Sequence, residues 1–346
     1  MAKDNYMISL VNVMNDLDTR GKPIGHGLKF LRDFTRLIEQ PVEILAGKEY
    51  MSAIKTKGQI LPYSLYSGVK EKKNLKILRN YFISLKKAKG DMLIYAITNE
   101  TLLWGIALYS GKRKIVLVTY DNWDKYQDNI LRFKKIRSWM ITKGLSKIAG
   151  CISTNKSYTP KVPYINIPDY YINADIMIAE EMQKKRGCIC LGEMRCEKDI
   201  EGLVKCMNTT DIPLKIAGMF TYKKVFRKVR HLAKSNIKVI NQNLPYDEYI
   251  KELSTYQYLV LPYNMDFYDK RTSGVLLEGI FAGAIPIAPY SFLKQNGIHG
   301  LGYEEIEEIP DLIYRYERGE IQVRNDLTEY QFDFVQKKVN SFIRKI

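Results

Sequence analysis

Tyr258-Leu259-Val260-Leu261-Pro262, then the loop Tyr263-Asn264-Met265-Asp266-Phe267-Tyr268-Asp269-Lys270-Arg271-Thr272, then Ser273-Gly274-Val275-Leu276-Leu277-Glu278-Gly279-Ile280-Phe281-Ala282, and after Gly283-Ala284 the run Ile285-Pro286-Ile287-Ala288: this stretch reads as strand, loop, helix and strand. Short apolar runs bounded by turn residues, with a helix-length segment between them, are the pattern of a βαβ unit and hence of a parallel sheet. A Ser-Gly pair opening a helix offers a small side chain and backbone N–H groups at the positive end of the helix dipole, which suits a diphosphate. Arg271 adds a fork of donors for phosphate oxygens. Glu278 is a carboxylate in an otherwise apolar helix, and a ribose diol would satisfy it. An ordinary helix cap followed by a solvated glutamate fits the same residues equally well, so local chemistry leaves both readings open.

Working outward, the same alternation of strand and helix fills the chain twice. In the second half, 188–192, 214–218 and 237–240 read as further strands, with helical patterns at 198–207, 223–234 and 246–253. In the first half the strands are expected at 7–13, 42–46, 92–96, 114–119 and 148–153, and the helices at 27–39, 74–87 and 125–147. This is α/β layering with parallel sheets. Pro160, Pro163 and Pro168, followed by polar residues up to Lys185-Arg186-Gly187, break the rhythm and mark an interdomain connection. The expected division is a first domain over 1–168, a linker over 169–186 and a second domain over 187–328, with a last helix near 329–346 packing back on the first. Two doubly wound domains of this kind would face one another across a cleft at the carboxyl ends of their strands, where open α/β sheets bind ligands.

The length of 346 residues agrees with two domains, and 46% hydrophobic with 27% charged residues is ordinary globular composition. No apolar run approaches the roughly 20 residues of a membrane span; Leu102 to Tyr109 is among the longest. The first residues carry no small-residue cleavage site, so the expectation is a cytoplasmic protein. Five cysteines without a CxxC pair are expected to be free thiols, with Cys188 and Cys190 alternating along an apolar run as core residues do.

The net charge of +16 is unevenly spread: Lys and Arg outnumber Asp and Glu by 29 to 14 over 1–170 and by 25 to 24 over 171–346. Two basic segments carry much of the excess, 70–89 and 132–147. Leu75, Leu78, Phe82 and Leu85 in the first, and Phe133, Ile136 and Met140 in the second, fall at helical spacing and are expected to be the core-facing stripes. A solvated helix face explains the lysines; contact with an anionic membrane surface is the sharper alternative. No nucleic-acid-binding motif accompanies them.

The run from Ser273 to Pro289 resembles the donor-site signature of GT-B glycosyltransferases of the family 4 type, in which a helix carrying a glutamate is followed by a Gly-containing turn and a buried strand. Gly192-Glu193-Met194-Arg195-Cys196-Glu197-Lys198-Asp199 is similar to the first loop of that family's donor domain, where a lysine six residues past the glycine contacts the donor diphosphate. Pro213 to Gly218 resembles the next strand and its glycine, Tyr246-Asp247-Glu248-Tyr249 the short helix before the signature strand, and Gly21-Lys22-Pro23-Ile24-Gly25-His26-Gly27 the glycine-rich loop beneath the donor. The resemblance covers essentially the whole chain and is strongest over 187–290. It implies transfer of a sugar from a UDP- or GDP-sugar to a hydroxyl on a glycan or lipid-linked acceptor, with retention and without a bound metal or other cofactor.

On that resemblance Arg195 and Lys198 neutralise the diphosphate, Ser273 and Gly274 cradle it with their amides, Arg271 and Thr272 lie beside it, Glu278 holds the ribose, and Gly25 and His26 approach from the first domain. The chain departs from the family twice. Lys270 stands where an acidic residue usually precedes the matching glutamate by eight positions, and Glu193 stands where an arginine usually follows the glycine. His26 would contact the donor sugar in a retaining enzyme or act as general base in an inverting one, and a loop histidine bonded to backbone is the plain alternative. Asp16-Leu17-Asp18 follows the first strand and is not read as a metal site. A catalytically silent GT-B partner subunit is the binding-class rival, kept alive by Lys270.

Overall fold

In the computed structural model the described residues are 6–17, 23–54, 56, 58–63, 65, 73–96, 100–119, 134–154, 158–172, 185–242, 244, 246–268 and 273–346. They form two compact units, Met1–Asp169 together with Asp333–Ile346, and Tyr170–Phe332.

The first unit is built on β1 (Ile8–Asn12), a short hairpin of β2 (Asp16–Leu17) and β3 (Pro23–Ile24), β4 (Val42–Ala46), β5 (Gly58–Ile60), β6 (Met92–Ala96), β7 (Lys114–Thr119), β8 (Gly150–Ser153) and β9 (Tyr164–Asn166). Apart from the hairpin these strands make one parallel sheet in the order β5-β4-β1-β6-β7-β8-β9. Strands β1 and β6 are buried along their whole length, which is why they read as continuous apolar runs instead of alternating ones. The helices are α1 (Gly25–Leu37), α2 (Lys48–Ile54), α3 (Lys73–Lys87), α4 (Thr101–Leu108) and α5 (Lys134–Leu145).

The expected core stripes of the two basic helices are corrected by their packing. On α3, Leu85 is buried as expected, but Leu75 is 79% exposed, Leu78 and Phe82 are half-buried, and Ile77 and Tyr81 carry the rest of the buried side. Asn80 and Ser84 share that side because their polar groups are satisfied there: Asn80 Nδ2 donates to the Tyr63 carbonyl at 2.8 Å, and Ser84 Oγ lies 2.9 Å from the Tyr95 hydroxyl. On α5, Ile136 is 71% exposed and Ile141 is buried; Phe133 lies outside the described residues. The two helices rotate because α4, which packs against both, is apolar nearly all round, with Leu102, Leu103, Ile106 and Ala107 buried. Gly144 of α5 sits against the Leu103 carbonyl with no room for a Cβ, which sets how closely α4 and α5 approach.

In the second unit β10 (Lys185–Leu191), β11 (Leu214–Ala217), β12 (Ile237–Ile240), β13 (Tyr256–Val260), β14 (Ile285–Pro289) and β15 (Leu301–Tyr303) form a parallel sheet in the order β12-β11-β10-β13-β14-β15. Its helices are α6 (Ile200–Met207), α7 (Lys223–Leu232), α8 (Tyr246–Thr255), α9 (Met265–Tyr268), α10 (Gly274–Phe281), α11 (Tyr290–Asn296) and α12 (Ile309–Glu317). Strand β10 begins two residues inside the segment expected as linker. Cys188 and Cys190 are fully buried on β10 and all five cysteines are free. Burial pushes the Cys190 thiol up to about 11, so it is an inert core residue.

The last helix, α13 (Phe332–Lys345), belongs to the first unit from Asp333 onward. Its buried Asn340 closes the end of α1: Nδ2 donates to the Leu37 carbonyl at 2.7 Å, and Oδ1 accepts from the Glu39 amide at 3.0 Å. Gly150 leaves the space that Phe342 fills.

Candidate functional site

From β10 the chain first lays β11 and β12 on one side and then returns to place β13 to β15 on the other, so the topological switch point lies between β10 and β13. The loops leaving the carboxyl ends of those strands, 192–199 and 261–264, meet there and are stitched by backbone bonds. The Asp199 amide donates to the Pro262 carbonyl at 2.7 Å and the Asn264 amide to the Glu197 carbonyl at 2.9 Å. The loop after β10 is tied in turn to the one after β11, the Met194 amide donating to Met219 O at 2.9 Å. Asp199 then caps α6 by accepting from the Gly202 amide at 2.8 Å.

Two glycines make this junction possible. Gly192 has φ +93°, a conformation that costs a residue with a Cβ, and its open face looks toward Lys198 Nζ and Val275. Gly218 packs directly on the Gly192 carbonyl.

Lys198 is the unusual residue of the junction. Its side chain is buried, 8% exposed, and Nζ donates to the Leu191 carbonyl at 3.0 Å. The Tyr263 ring lies 5.7 Å from Nζ. No carboxylate among the described residues lies within ion-pair distance of it. Burial holds the Lys198 ammonium below the usual lysine range, with Arg195 adding repulsion and Glu193 and Glu197 working weakly the other way. A buried ammonium with one neutral partner is costly unless an anion joins it. Arg195, expected to share the diphosphate with it, is exposed, and its guanidinium is engaged by Glu193 Oε2 at 2.5 Å, which raises its pKa.

The first turn of α10 borders the same junction. Ser273 is its N-cap: Oγ accepts from the Leu276 amide at 3.3 Å and lies 2.7 Å from the Tyr263 hydroxyl. That leaves Gly274 and Val275 among the amides that a helix start cannot satisfy internally. The Tyr170 ring packs on Gly274, which is why a glycine is needed there. Tyr263 is locked in place, stacked on Tyr268 at 3.7 Å between ring centres and edge-on to Phe292. Glu278 is not a solvated helix residue: it is 8% exposed, and Oε2 accepts from the Tyr249 hydroxyl of α8 at 2.8 Å. Burial, and then the Glu278 charge, push Tyr249 well above its ordinary pKa, so it remains the donor of that bond.

The structure thus brings together Gly192, Lys198, Ser273 and Gly274, with Glu278 a turn further along α10. Arg271 and Thr272 lie outside the described residues, as do Lys270, Asp18 and Gly21-Lys22 of the expected glycine loop. Gly25 and His26 begin α1 directly after β3, and only their backbone is described. Three residues escaped the sequence reading. Tyr170 and Tyr263 carry no motif. Asn12, at the carboxyl end of β1, is buried beside Gly27 of α1, and its Nδ2 has no acceptor among the described residues. Its signal was an amide closing a buried, mostly apolar strand.

These two Rossmann-like units, each a parallel sheet wound both ways from a central strand, define the GT-B fold. No family model matches the chain, and no curated protein matches it in sequence. Solved structures do match its fold. Sucrose-phosphate synthase from Thermosynechococcus elongatus is similar with a TM-score of 0.65 over 98% of both chains at 13% identity. The UDP-forming α,α-trehalose-phosphate synthase from Burkholderia vietnamiensis gives 0.60 over 98% of this chain and 95% of that one at 8% identity. UDP-GlcNAc 2-epimerase from Methanocaldococcus jannaschii gives 0.57 over 98% of this chain and all of its own at 12% identity.

Proposed function

We propose that this chain is a glycosyltransferase moving a sugar from a UDP- or GDP-sugar to a hydroxyl acceptor, and that the second unit binds the donor. The observation that carries this reading is Lys198: a buried ammonium without a carboxylate, faced by an open glycine and the start of a helix, is built to receive an anion. On this reading the donor diphosphate lies against Lys198, Gly192 and the amides of Ser273 and Gly274, with Arg195, Arg271 and Thr272 at its edge. Glu278 accepts from the ribose hydroxyls alongside Tyr249.

In the reaction the bond from the sugar's anomeric carbon to the diphosphate breaks and the acceptor oxygen bonds to that carbon. The acceptor hydroxyl's proton passes to the departing phosphate oxygen, and Lys198 stabilises the charge gathering on the departing nucleoside diphosphate. The neutralising charge comes from the protein itself, so no metal is required. Retention follows the family 4 resemblance, with Gly25 and His26 serving the sugar and acceptor. Exposed apolar residues among the lysines of the first unit favour a lipid-linked acceptor: Trp139 is 54% exposed with Lys143 Nζ 4.6 Å from its ring centre, and Ile136 is on the same helix. No described helix is long and apolar enough to cross a membrane.

The test is a thermal-shift panel of UDP, GDP, ADP and CMP, followed by incubation with the corresponding nucleotide sugars with and without acceptor. A true ligand at about 100 times its dissociation constant stabilises by about 2.7 kcal/mol. Stabilisation by none of them removes the donor-site reading. Conversion of a nucleotide sugar to its epimer without an acceptor replaces transfer with the chemistry of the epimerase neighbour.

A further inference from the structure

The first unit has a second concave site on the side of its sheet away from the ligand-binding ends of the strands. Tyr6, Met92 and Lys114 line it, and they stand at the amino ends of β1, β6 and β7. Asn12, Gly25 and His26 follow the opposite end of β1. The cavity measures about 890 Å³. Its charge is one-sided: Lys86, Lys112, Arg113, Lys114 and Arg344 line it against the single carboxylate of Asp91. Lys86, Lys112 and Lys114 have no ion-pair partner among the described residues, whereas Asp91 accepts from the Met7 amide at 3.3 Å. Arg113 is held in position by Nη1 donating to the Leu85 carbonyl at 3.0 Å, near the end of α3. Among the described residues Arg344 alone of these cations is ion-paired, with Glu39 at 3.3 Å.

Like charges collected in a concavity repel one another, and three uncompensated lysines around one hollow are more than a solvated helix face needs. Leu85, Met92 and Ile343 give the hollow a buried apolar floor, and Tyr109 a ring wall. Cations converging over such a floor match phosphate oxygens attached to a compact body. We propose that this cavity, built wholly from the first unit, binds a small phosphorylated solute, a role that does not depend on the donor-site reading.

The probe is inorganic pyrophosphate, titrated calorimetrically at fixed ionic strength into four forms of the full chain: the parent, Lys198→Met, the triple variant Lys86→Gln/Lys112→Gln/Lys114→Gln, and a control triple Lys223→Gln/Lys224→Gln/Arg227→Gln. All six neutralised side chains are exposed, so folding is not at stake, and the control removes the same charge from α7. The expected result is binding that survives Lys198→Met, falls about tenfold or more in the first triple, and is unchanged in the control. Loss of all binding in Lys198→Met overturns the proposal, as does an equal fall in both triples, which would report net charge alone. Phosphatidylglycerol vesicles separate a lipid headgroup from a free solute. The first triple should bind them as the control does, and loss of vesicle binding with pyrophosphate binding intact also overturns the proposal. The thermal-shift panel remains the separate test of the donor site.

Discussion

Replacing Lys198 by methionine tests the site where its chemistry is sharpest. The substitution keeps the length and apolar stem of the side chain and deletes the ammonium. In the ligand-free protein that group is buried, has one neutral acceptor in Leu191 O, and is held below the usual lysine range by burial. Removing it relieves a desolvation cost and forfeits one hydrogen bond, a loss of about 1 kcal/mol. The two changes oppose each other, so the melting temperature of the ligand-free variant should equal or exceed that of the parent. Binding should move the other way. A charge-assisted bond to a diphosphate contributes about 1.5–3 kcal/mol, so affinity for the cognate nucleoside diphosphate should fall about 10- to 150-fold.

Titration adds a sign to the same experiment. Because the folded pKa lies below the unfolded one, the unfolded state binds more protons in the interval between them, and Lys198 makes ligand-free stability rise with pH across it. An anion stabilises the protonated form, so parent affinity should fall as pH rises through the lowered pKa. The Lys198→Met variant should lack that alkaline limb. Calorimetry with the cognate nucleotide and differential scanning of the ligand-free proteins supply both readouts. Undiminished affinity in Lys198→Met refutes the reasoning, and so does a ligand-free variant destabilised enough to explain the lost binding.

Three further outcomes are expected. Glu278→Gln, which keeps an acceptor for the Tyr249 hydroxyl, should weaken nucleotide-sugar binding about 10- to 150-fold while leaving the ligand-free melting temperature nearly unchanged; equal affinity would reduce Glu278 to a partner of Tyr249. Chelation by EDTA should leave turnover intact, and activity abolished by EDTA and restored by manganese would overturn the assignment of the diphosphate to Lys198 and Arg195. Sedimentation with anionic liposomes should be strong at low salt and weak near 0.5 M, where the Debye length is about 4 Å, with neutral liposomes unbound; equal binding to both kinds would return the first unit's lysines to a solvated surface.

The strand–loop–helix–strand run from Tyr258 onward was legible because buried parallel strands are short and continuously apolar, and because Ser273 has the chemistry of a cap. Helix α4 was not: Thr101 to Leu108 is buried on most sides, so it lacks the one-sided period by which a helix is read. The core faces of α3 and α5 were misplaced for a related reason. Apolar spacing alone marks Leu85 correctly but misses that Asn80 and Ser84 face inward through hydrogen bonds while Leu75 and Ile136 face out. At the site, Gly192 and Lys198 were singled out by the resemblance to the family 4 donor loop. That Glu193 would engage the Arg195 guanidinium depends on side-chain geometry that spacing does not encode.

Residues 171–346 are near neutral, yet α7 carries Lys223, Lys224, Arg227, Lys228 and Arg230 on one short helix, and among the described residues only Lys228 of these is ion-paired, with Glu201. A net count sums exposed and buried charges as though they did equal work. Exposed lysines cost little to hold and are screened by salt, so their number sets only long-range attraction. Lys198 adds a single charge to that count, but it is the one whose burial has an energetic consequence that a ligand can reverse. For this reason function is better argued from the desolvated cation at the switch point than from the excess of basic residues in the first half of the chain.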